Sequence, residues 1–304
     1  MNEEIQKEIE KLENDIGSVE IQGATNVAFA TLEGMKLAAR ASDENILENV
    51  ESVGYKLSKA RENEPLARNA VKYVLSQVKG DKLKDEIEKA IEDFAKILDQ
   101  SKNRIKKYAA DILKDYDVVL THCHSSTATA SLIQAAKANP KLQVVSTETR
   151  PLYQGRKTAK ELSAADVDVT MIVDSASASF IVDDRYLPVE AVVVGCDEIH
   201  KNGSIINKVG TYQIALAANA GKDEFFVVTT LLKINLEHEG SLPNIEIRPA
   251  REIWEDAPKD ENLTIINPAF EIVPSNLISG YITEVGVLKA TELENKLKEL
   301  YPWV

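Results

Sequence analysis

The chain has 304 residues, and 36 Lys and Arg against 49 Asp and Glu give it a net charge of −13 at pH 7. This acidic balance argues against a general nucleic-acid binder, which needs a surplus of basic side chains on one surface. With 44% hydrophobic residues the chain can bury a core, and its length suits two domains.

Residues 1–112 are predicted to form a helical domain. Apolar side chains recur there at the three- and four-residue spacing of amphipathic helices. The longest such pattern runs from Leu83 to Leu113 and predicts one long helix, broken once near Ser101. No strand-like alternation of more than a few residues comes before Asp117.

Residues 113–304 are predicted to form a Rossmann-like α/β domain with a mostly parallel, doubly wound sheet. Short runs rich in β-branched residues alternate with helix-like segments, as in strands joined by helical crossovers. Several runs are apolar without alternation, which is typical of strands buried on both faces. The predicted strands are 118–120, 142–145, 167–173, 191–194, 225–229, 263–266 and 277–282, and the predicted helices are 128–137, 156–164, 175–182 and 212–220.

Residues 233–262 form a long segment with little periodicity. It contains Pro243, Pro249 and Pro258, and a loop of that length is usually functional or part of an interface. We expect this loop and the apolar C-terminal strand and helix, with Phe270, Ile272 and Val273, to contribute to an interface between copies of the chain.

The first predicted strand of the sheet ends in a turn suited to an anion. Ser125, Ser126 and Thr127 offer hydroxyl and backbone N–H groups at a helix start. Cys123 would lie near the positive end of that helix dipole, where the pKa of a thiol falls and thiolate chemistry becomes feasible. The alternative is that Cys123 is a small buried residue that only packs.

The sequence indicates neither a metal nor a cofactor. His122, Cys123 and His124 contain ligating atoms, but adjacent residues cannot all point at one ion, and no second ligand pair has zinc spacing. The glycine-rich phosphate loops GxGxxG and GxxxxGK[ST] are both missing. We therefore predict no metal site and no dinucleotide or nucleoside-triphosphate cofactor. Two cysteines also cannot form a disulfide framework, which suits a reducing cytoplasm.

Basic residues follow the second predicted strand of the sheet. Arg150 and Arg156 flank a turn that contains Pro151 and Gly155, so two guanidinium groups could clamp a phosphate there. Surface ion pairs with the abundant carboxylates are the alternative.

The predicted strand 191–194 leads into a further polar segment. Asp197 follows it directly, where desolvation can tune a carboxylate for acid–base chemistry, although a helix cap or loop carboxylate is the alternative. Cys196 should point to the opposite face and pack. Asn207 and Lys208 precede the next helix and offer a donor and a cation to a phosphate or a sugar hydroxyl.

Five segments within residues 121–301 closely resemble one superfamily. They are THCHSS, TETRPLYQGRKTAKEL, VDSA, GCDEIHKNGSIINKVGT and ITEVGVLKATELENKLKELY, in this order. The superfamily contains the regulatory subunits (alpha, beta, delta) of eukaryotic translation initiation factor 2B, ribose-1,5-bisphosphate isomerase and 5-methylthioribose-1-phosphate isomerase. A helical first third before a Rossmann-like domain is similar too, so the resemblance covers the whole chain. The composition, rich in Lys and Glu, suggests an archaeal-type member.

The resemblance implies roles for matched positions. Cys123 and Asp197 match the catalytic pair of the isomerases, and Arg150 matches the arginine of their ETRP motif. The alpha and beta factor subunits generally lack this set of cysteine, aspartate and arginine. The positions implied or expected to bind substrate are Gln22, Gly23, Ala24, Ser125, Ser126, Arg150, Asn207 and Lys208.

Two positions depart from the isomerase pattern. Gln22 stands where the isomerases have an arginine that helps to hold a phosphate, which removes a charge-assisted bond worth about 1.5–3 kcal/mol. An Arg-Pro-Thr motif is also missing, and Glu64 in the matching segment would repel a phosphate in the same site. Both departures resemble the factor subunits.

These features favour an aldose–ketose isomerase of the ribose-1,5-bisphosphate type. One alternative is a non-catalytic subunit related to initiation factor 2B, which binds a sugar phosphate or nucleotide and contacts an initiation factor 2 subunit. Another is an isomerase for a sugar with a single phosphate. Under all three hypotheses, the resemblance implies a homodimer or homohexamer. The charged first twenty residues and the short apolar runs predict a cytoplasmic protein with no membrane segment.

Overall fold

The computed structural model describes residues 3–61, 63–183, 186–238, 245–258 and 262–304. The chain divides into two compact units. The first comprises the residues up to Ser101 with Leu231–Leu236 and Glu294–Val304, and the second comprises Lys102–Thr230 and Glu237–Leu293. Across the described ranges, no helix combines the length and the apolar composition that crossing a bilayer requires.

The first unit is mainly helical, as the spacing of its apolar residues predicts. Its helices are α1 (Glu3–Gly17), α2 (Ala24–Ala41), α3 (Ile46–Ser58), α4 (Pro65–Gln77) and the first part of α5 (Leu83–Leu113). Their apolar faces supply a buried core that includes Leu32, Met35, Leu57 and Leu66.

Helix α5 differs from its prediction in one respect. The predicted break near Ser101 is wrong, because α5 runs without interruption from Leu83 to Leu113 and Ser101 is buried within it. A serine costs a helix interior less than about 0.7 kcal/mol relative to alanine, which a continuous apolar stripe easily outweighs. The compact units change between Ser101 and Lys102, inside α5, whereas the predicted domain boundary at residue 112 stays a prediction.

The second unit is built on a seven-stranded sheet with the order β11-β10-β7-β4-β1-β2-β3. All neighbours run parallel except β10 and β11, which form an antiparallel pair at one edge. The strands are β1 (Val118–Thr121), β2 (Gln143–Thr147), β3 (Asp168–Ile172), β4 (Ala191–Val194), β7 (Glu224–Val228), β10 (Gly280–Thr283) and β11 (Gly286–Leu288). The central strands β1 and β4 consist of buried residues only, as predicted for a sheet covered on both faces.

Helices connect these strands close to the predicted positions. They are α6 (Ser126–Ala138), α7 (Gln154–Ser163), α8 (Ser177–Val182) and α9 (Thr211–Gly221), and α10 (Leu293–Leu300) lies near the C-terminus. Leu132 of α6 and Leu162 of α7 are fully buried in the same apolar cluster as Val119 and Val193 of the sheet. The predicted mostly parallel α/β fold after a helical N-terminal region is therefore confirmed.

A smaller antiparallel sheet carries part of the polar segment that follows β4. Its order is β5-β6-β9, with β5 (Glu198–His200), β6 (Ile205–Lys208) and β9 (Phe270–Val273), and a two-residue strand β8 spans Ile234–Asn235. The predicted strand 263–266 is wrong: this segment forms no strand, and Ile266 is 66% exposed.

The expected interface residues also need correction. Phe270 and Val273 are buried inside the second unit, where β9 pairs with β6, so they do not form an exposed apolar patch. Within the long segment 233–262, the described part contains β8 and one short 3-10 helix at Ala250–Glu252. Pro243 lies outside the described residues.

Candidate active site

The turn after β1 leads directly into α6. Ser125 is the N-cap of that helix, and its hydroxyl accepts the N–H of Ala128 at 3.3 Å. Ser126 is the first helical residue and is exposed. The predicted hydroxyl-rich helix start is therefore present, although the Ser125 hydroxyl already serves the helix itself.

Cys123 occupies a strained position in this turn. Its φ is 66°, in the left-handed region that non-glycine residues rarely adopt, and its side chain is half-buried. Desolvation, with smaller effects of Asp197 and Asp174 opposed by Lys208, raises the pKa of the Cys123 thiol to about 11. The expectation of a lowered thiol pKa is wrong, because burial outweighs the nearby positive charge. At neutral pH the side chain is a thiol that holds its proton.

A hydrogen-bond chain of defined direction supports the turn. The carbonyl of Val209 can only accept, so Nε2 of His122 donates to it at 2.9 Å and Nδ1 accepts from the Thr147 hydroxyl at 2.6 Å. The Thr149 hydroxyl donates to the Thr147 hydroxyl oxygen at 3.4 Å. The Thr149 hydroxyl oxygen in turn accepts the N–H of Cys123 at 3.0 Å. Burial lowers the pKa of His122, which keeps the imidazole neutral as this chain requires.

Asp174, which the sequence analysis did not select, holds the neighbouring turn after β2. Its two carboxylate oxygens accept the backbone N–H groups of Thr149 and Arg150, each at 2.7 Å. Thr149 also has a positive φ, 63°, so the carboxylate stabilises a second left-handed position. The signal available in the sequence was the place of Asp174 directly after β3.

The two arginines of this turn converge on Tyr153 and do not form the predicted clamp. The guanidinium carbon of Arg156 lies 3.6 Å from the centre of the Tyr153 ring, and that of Arg150 lies 5.1 Å away. Arg150 also donates to the carbonyl of Ile253 at 3.0 Å. Arg156 pairs with Glu148 at 3.4 Å, which is the surface ion pair of the alternative prediction.

Gly155 sets the distance between α7 and β2. A Cβ at this residue would lie 1.7 Å from the carbonyl oxygen of Thr147, so the helix contacts the strand through bare backbone. This close approach fixes the strand end that carries Thr147 and the turn beyond it.

The turn after β4 carries the carboxylate. Gly195 lets this strand end approach α6, because a Cβ there would lie 2.6 Å from the Ser125 side chain. Cys196 is buried with its sulfur 3.2 Å from the Thr229 hydroxyl, so it packs as predicted. The N–H of Asp197 donates to Ile206 at 2.9 Å, whereas none of the described residues hydrogen-bonds its carboxylate.

Lys208 is a buried cation at the end of β6. Its side chain is only 9% exposed, and Nζ lies 4.8 Å from the centre of the Phe270 ring. No carboxylate among the described residues lies within ion-pair distance of Nζ. Both Lys208 and Asp197 act electrostatically on the Cys123 thiol, so the structure brings these three predicted residues together. Their neighbour Asn207 donates to the Thr211 hydroxyl at 3.0 Å.

Helix α9 begins beside this cation, and its first turn is already occupied by a carboxylate. Oε1 of Glu271 accepts the N–H groups of Gly210 and Tyr212, each at 2.7 Å. Burial raises the pKa of Glu271 despite these two bonds. A ligand phosphate near Lys208 would therefore not use the end of α9.

The remaining predicted binding residues belong to the first unit. Gln22 and Gly23 are exposed, Ala24 starts α2, and Gly23 is the N-cap with a φ of 85°. Glu64 is buried and pairs with Arg61 at 3.1 Å. The negative charge that was expected to repel a phosphate is thus compensated within its own unit.

The histidines of the β1 turn already have other hydrogen-bond partners. Both ring nitrogens of His122 are used, and Nδ1 of His124 donates to Thr158, whose hydroxyl donates to the Cys123 carbonyl at 2.8 Å. Among the described residues a different trio has its ligating atoms within 4.8 Å of one another: Glu198, His200 and His238.

Comparison with known proteins identifies the family of the chain. The sequence profile of the Initiation factor 2 subunit family matches residues 20–290. The chain is 34% identical to the ribose 1,5-bisphosphate isomerase of Archaeoglobus fulgidus, over 93% of this chain and 90% of that protein. It is 30% identical to the 5-deoxyribose 1-phosphate isomerase of Bacillus cereus, over 97% of this chain and 90% of that protein.

A solved structure has the same fold. The translation initiation factor eIF-2B of Pyrococcus horikoshii superposes with a TM-score of 0.79 at 23% identity, over 95% of this chain and 98% of that one. The family resemblance inferred from the five sequence segments is confirmed: the chain belongs to the Initiation factor 2 subunit family.

Proposed function

We propose that this chain is an aldose–ketose isomerase that converts ribose 1,5-bisphosphate to its 2-ketose isomer. The observation that carries the proposal is the placement of Cys123 and Asp197 in the turns after the parallel neighbours β1 and β4. Asp197 and Lys208 both act electrostatically on the Cys123 thiol, which burial keeps protonated. The names of the archaeal and bacterial relatives, both sugar-phosphate isomerases, support the same reaction class.

The reaction needs one acid and one base. One hydrogen moves from C2 to C1, the C2 hydroxyl loses its proton to become a carbonyl, and the ring oxygen gains a proton as its bond to C1 breaks. With a pKa of about 11, the Cys123 thiol is suited to donate the proton to the ring oxygen. The Asp197 carboxylate, which no described residue hydrogen-bonds, accepts the proton of the C2 hydroxyl. Return of that proton to the sulfur restores both groups.

Lys208 is suited to bind a phosphate of the substrate. A buried ammonium group costs free energy unless an anion compensates it, and the ring of Phe270 offers only partial compensation. An incoming phosphate supplies the missing charge and exchanges its water shell for a charge-assisted bond. Ser126, Asn207 and Arg150 are further proposed contacts to phosphate or sugar hydroxyl groups. The segment Gln22–Ala24 of the first unit is a separate proposal for phosphate binding, which the variant Gln22→Arg described below tests.

The direct test is turnover by the purified chain. Ribose 1,5-bisphosphate labelled with deuterium at C2 is incubated with the protein, and the product is followed by NMR. We expect the 2-ketose bisphosphate to form; deuterium retained at C1 indicates a hydride shift, and deuterium lost to water indicates an enediolate. Calorimetric binding of the sugar phosphate without any conversion contradicts an enzyme and favours the non-catalytic subunit.

A substrate with one phosphate is the second candidate. Gln22 is uncharged, and the relative from Bacillus cereus is named for a sugar without a phosphate at C5. Comparing kcat/KM for ribose 1,5-bisphosphate and 5-deoxyribose 1-phosphate separates the two. If Gln22 leaves one phosphate without its partner, the variant Gln22→Arg raises kcat/KM for the bisphosphate alone.

The assembly and location of the protein are also proposals. We infer a homodimer or homohexamer in the cytoplasm, where the two free cysteines, one buried and one half-buried, stay reduced. Sedimentation as a monomer at micromolar concentration contradicts this assembly. Co-purification with an initiation factor 2 subunit from native lysate supports the regulatory alternative.

A further inference from the structure

We propose that Glu198, His200 and His238 form a binding site for a divalent transition-metal ion, with Zn²⁺ as the ion that suits the donor set best. The three residues lie in the second unit, outside the proposed catalytic group, and their ligating atoms lie within 4.8 Å of one another. Two imidazoles and a carboxylate are a common ligand set for zinc, with the fourth position left to water.

Strand geometry separates this site from the catalytic carboxylate. Glu198 and His200 are two residues apart on β5, so their side chains project from the same face of the strand. Asp197 immediately precedes the strand, and the same alternation assigns its side chain to the opposite face. An ion bound behind β5 would therefore hold the strand that positions Asp197 without touching the substrate.

The tautomer of His200 leaves a lone pair directed into the site. The Ser204 hydroxyl donates to Oδ1 of Asn202 at 2.7 Å, so its oxygen accepts from Nδ1 of His200 at 3.2 Å. Nε2 of His200 is therefore unprotonated. It is buried and hydrogen-bonds to none of the described residues, and it lies 3.5 Å from Oε1 of Glu198. Two lone pairs facing each other in a buried site favour a cation between them.

The Ser204 contact is also the kind of support that metal-binding histidines use. A ligating histidine usually donates its other ring N–H to a fixed acceptor, which sets its orientation and tautomer. Here the acceptor is the Ser204 hydroxyl, and Asn202 orients that hydroxyl further by accepting both its proton and the backbone N–H of Ser204.

His238 completes the trio from a separate segment. Its carbonyl accepts the N–H of Lys201 at 2.9 Å, which ties its backbone to the end of β5, and its Nδ1 lies 2.5 Å from Oε1 of Glu198. Ligand atoms around a tetrahedral zinc with bonds of about 2.0–2.1 Å are about 3.3 Å apart. The Glu198–His200 distance already matches. The side chain of His238, 31% exposed, must move away from Glu198 and reach the same spacing from Nε2 of His200, from which its ligating atom lies no more than 4.8 Å.

The test measures metal binding to the full-length chain and does not depend on turnover. Protein freed of metal by chelation is equilibrated with Zn²⁺, and bound zinc is measured by mass spectrometry together with the change in Tm. We expect one zinc per chain, a Zn²⁺-dependent rise in Tm, and a tetrahedral absorption spectrum with Co²⁺. A wild-type chain that binds no zinc, or whose Tm does not respond to it, overturns the site.

Variants locate the ion. His238→Ala changes a partly exposed side chain and should abolish binding, whereas Ser204→Ala should weaken it about 10- to 100-fold while keeping the stoichiometry. His124→Ala is the matched control, because His124 also neighbours a glutamate, with Nε2 3.9 Å from Glu161. Unchanged zinc affinity in both His238→Ala and Ser204→Ala contradicts the proposal, as does loss of the zinc in His124→Ala.

Discussion

The turns after β1 and β4 lie at the same edge of the sheet, since the two strands are parallel neighbours, yet they treat their polar groups differently. After β1, the Cys123 amide and both nitrogens of His122 are hydrogen-bonded in a fixed direction. After β4, the Asp197 carboxylate accepts no hydrogen bond from the described residues. The comparison teaches that one turn holds its geometry and the other keeps a charge available, which is the division of work that the proposed acid–base pair requires.

Removing the acid or the base should have the largest effect. Cys123→Ser keeps a similar shape but lacks the thiol, and Asp197→Asn removes the charge without changing the size. We expect each to lower kcat by about 10²–10⁴-fold with little change in substrate affinity, because general acid–base catalysis contributes on that scale. Steady-state kinetics with calorimetric binding measures both quantities. Cys196→Ser is the control for loss of a thiol outside the pair, and a variant of Cys123 with wild-type kcat would break the assignment.

The protonation state of Cys123 gives the next largest effect. A rise of its pKa from the ordinary 9.0 to about 11 lowers the thiolate fraction at pH 8 about a hundredfold, and the alkylation rate falls with it. Iodoacetamide labelling of the Cys123 peptide, followed against pH by mass spectrometry, should show a midpoint near pH 11 in the folded chain. The urea-unfolded chain should show a midpoint near pH 9. A midpoint below pH 9 in the folded chain would mean that the helix dipole and Lys208 lower the pKa of Cys123 by more than burial raises it.

Lys208, at the end of β6, tests whether the buried cation binds the substrate phosphate. Lys208→Met preserves most of the apolar stem and removes the cation, which should raise KM about 10- to 150-fold, equivalent to a charged hydrogen bond of about 1.5–3 kcal/mol. Lys137→Met, an exposed change near the end of α6, controls for loss of a positive charge and should leave KM unchanged. Equal KM values in the two variants would show that the phosphate lies elsewhere.

Thr149, whose hydroxyl accepts the Cys123 N–H, tests the hydrogen bonds that hold the turn after β1. Its variant should give the smallest of these effects. Thr149→Val keeps the side-chain shape but breaks the hydrogen-bond chain between Cys123 and Thr147, at a cost of about 1–3 kcal/mol in the free energy of unfolding. Thr129→Val is the matched control, because the Thr129 hydroxyl is buried with no hydrogen-bond partner among the described residues. Urea denaturation should show Thr149→Val destabilised and Thr129→Val unchanged or more stable. Equal stability of the two variants would show that the hydrogen-bond chain does not stabilise the turn after β1, which contradicts the difference drawn between the two turns.

The sequence predicted the main sheet well because its strands are apolar runs flanked by helical patterns, as in β1 and β4. Around the smaller sheet the same rule predicted a strand that does not form and missed one that does. The run 263–266 is apolar but largely exposed and forms no strand, whereas β5 buries the charged Glu198 and the polar His200. Apolar content alone does not decide strand formation, because backbone pairing with a neighbouring strand, here β6, can hold a strand that contains buried polar side chains.

The placement of the predicted site residues was easier to anticipate than their protonation. Cys123 and Asp197 follow β1 and β4, which are parallel neighbours, whereas Lys208 ends β6 of the smaller antiparallel sheet, and both Asp197 and Lys208 act electrostatically on the Cys123 thiol. Their roles in catalysis and binding stay predictions. The local helix dipole suggested a thiolate, but the desolvation that keeps the thiol protonated depends on neighbours from other strands. Asp174 and Thr147 escaped notice for the same reason, since their hydrogen bonds to Thr149 and His122 join residues distant in sequence.

Gly155 limits how far the turn after β2 can be redesigned. Any side chain there would collide with the carbonyl oxygen of Thr147, so α7 would have to shift away from β2 and carry the hydrogen-bonded turn with it. A mutational library that varies residues 148–156, the turn after β2 and the start of α7, should keep position 155 as glycine. Substitutions at Arg150, Tyr153 or Arg156 change side chains alone. A substitution at position 155 instead disrupts the backbone contact between α7 and β2 that positions these side chains.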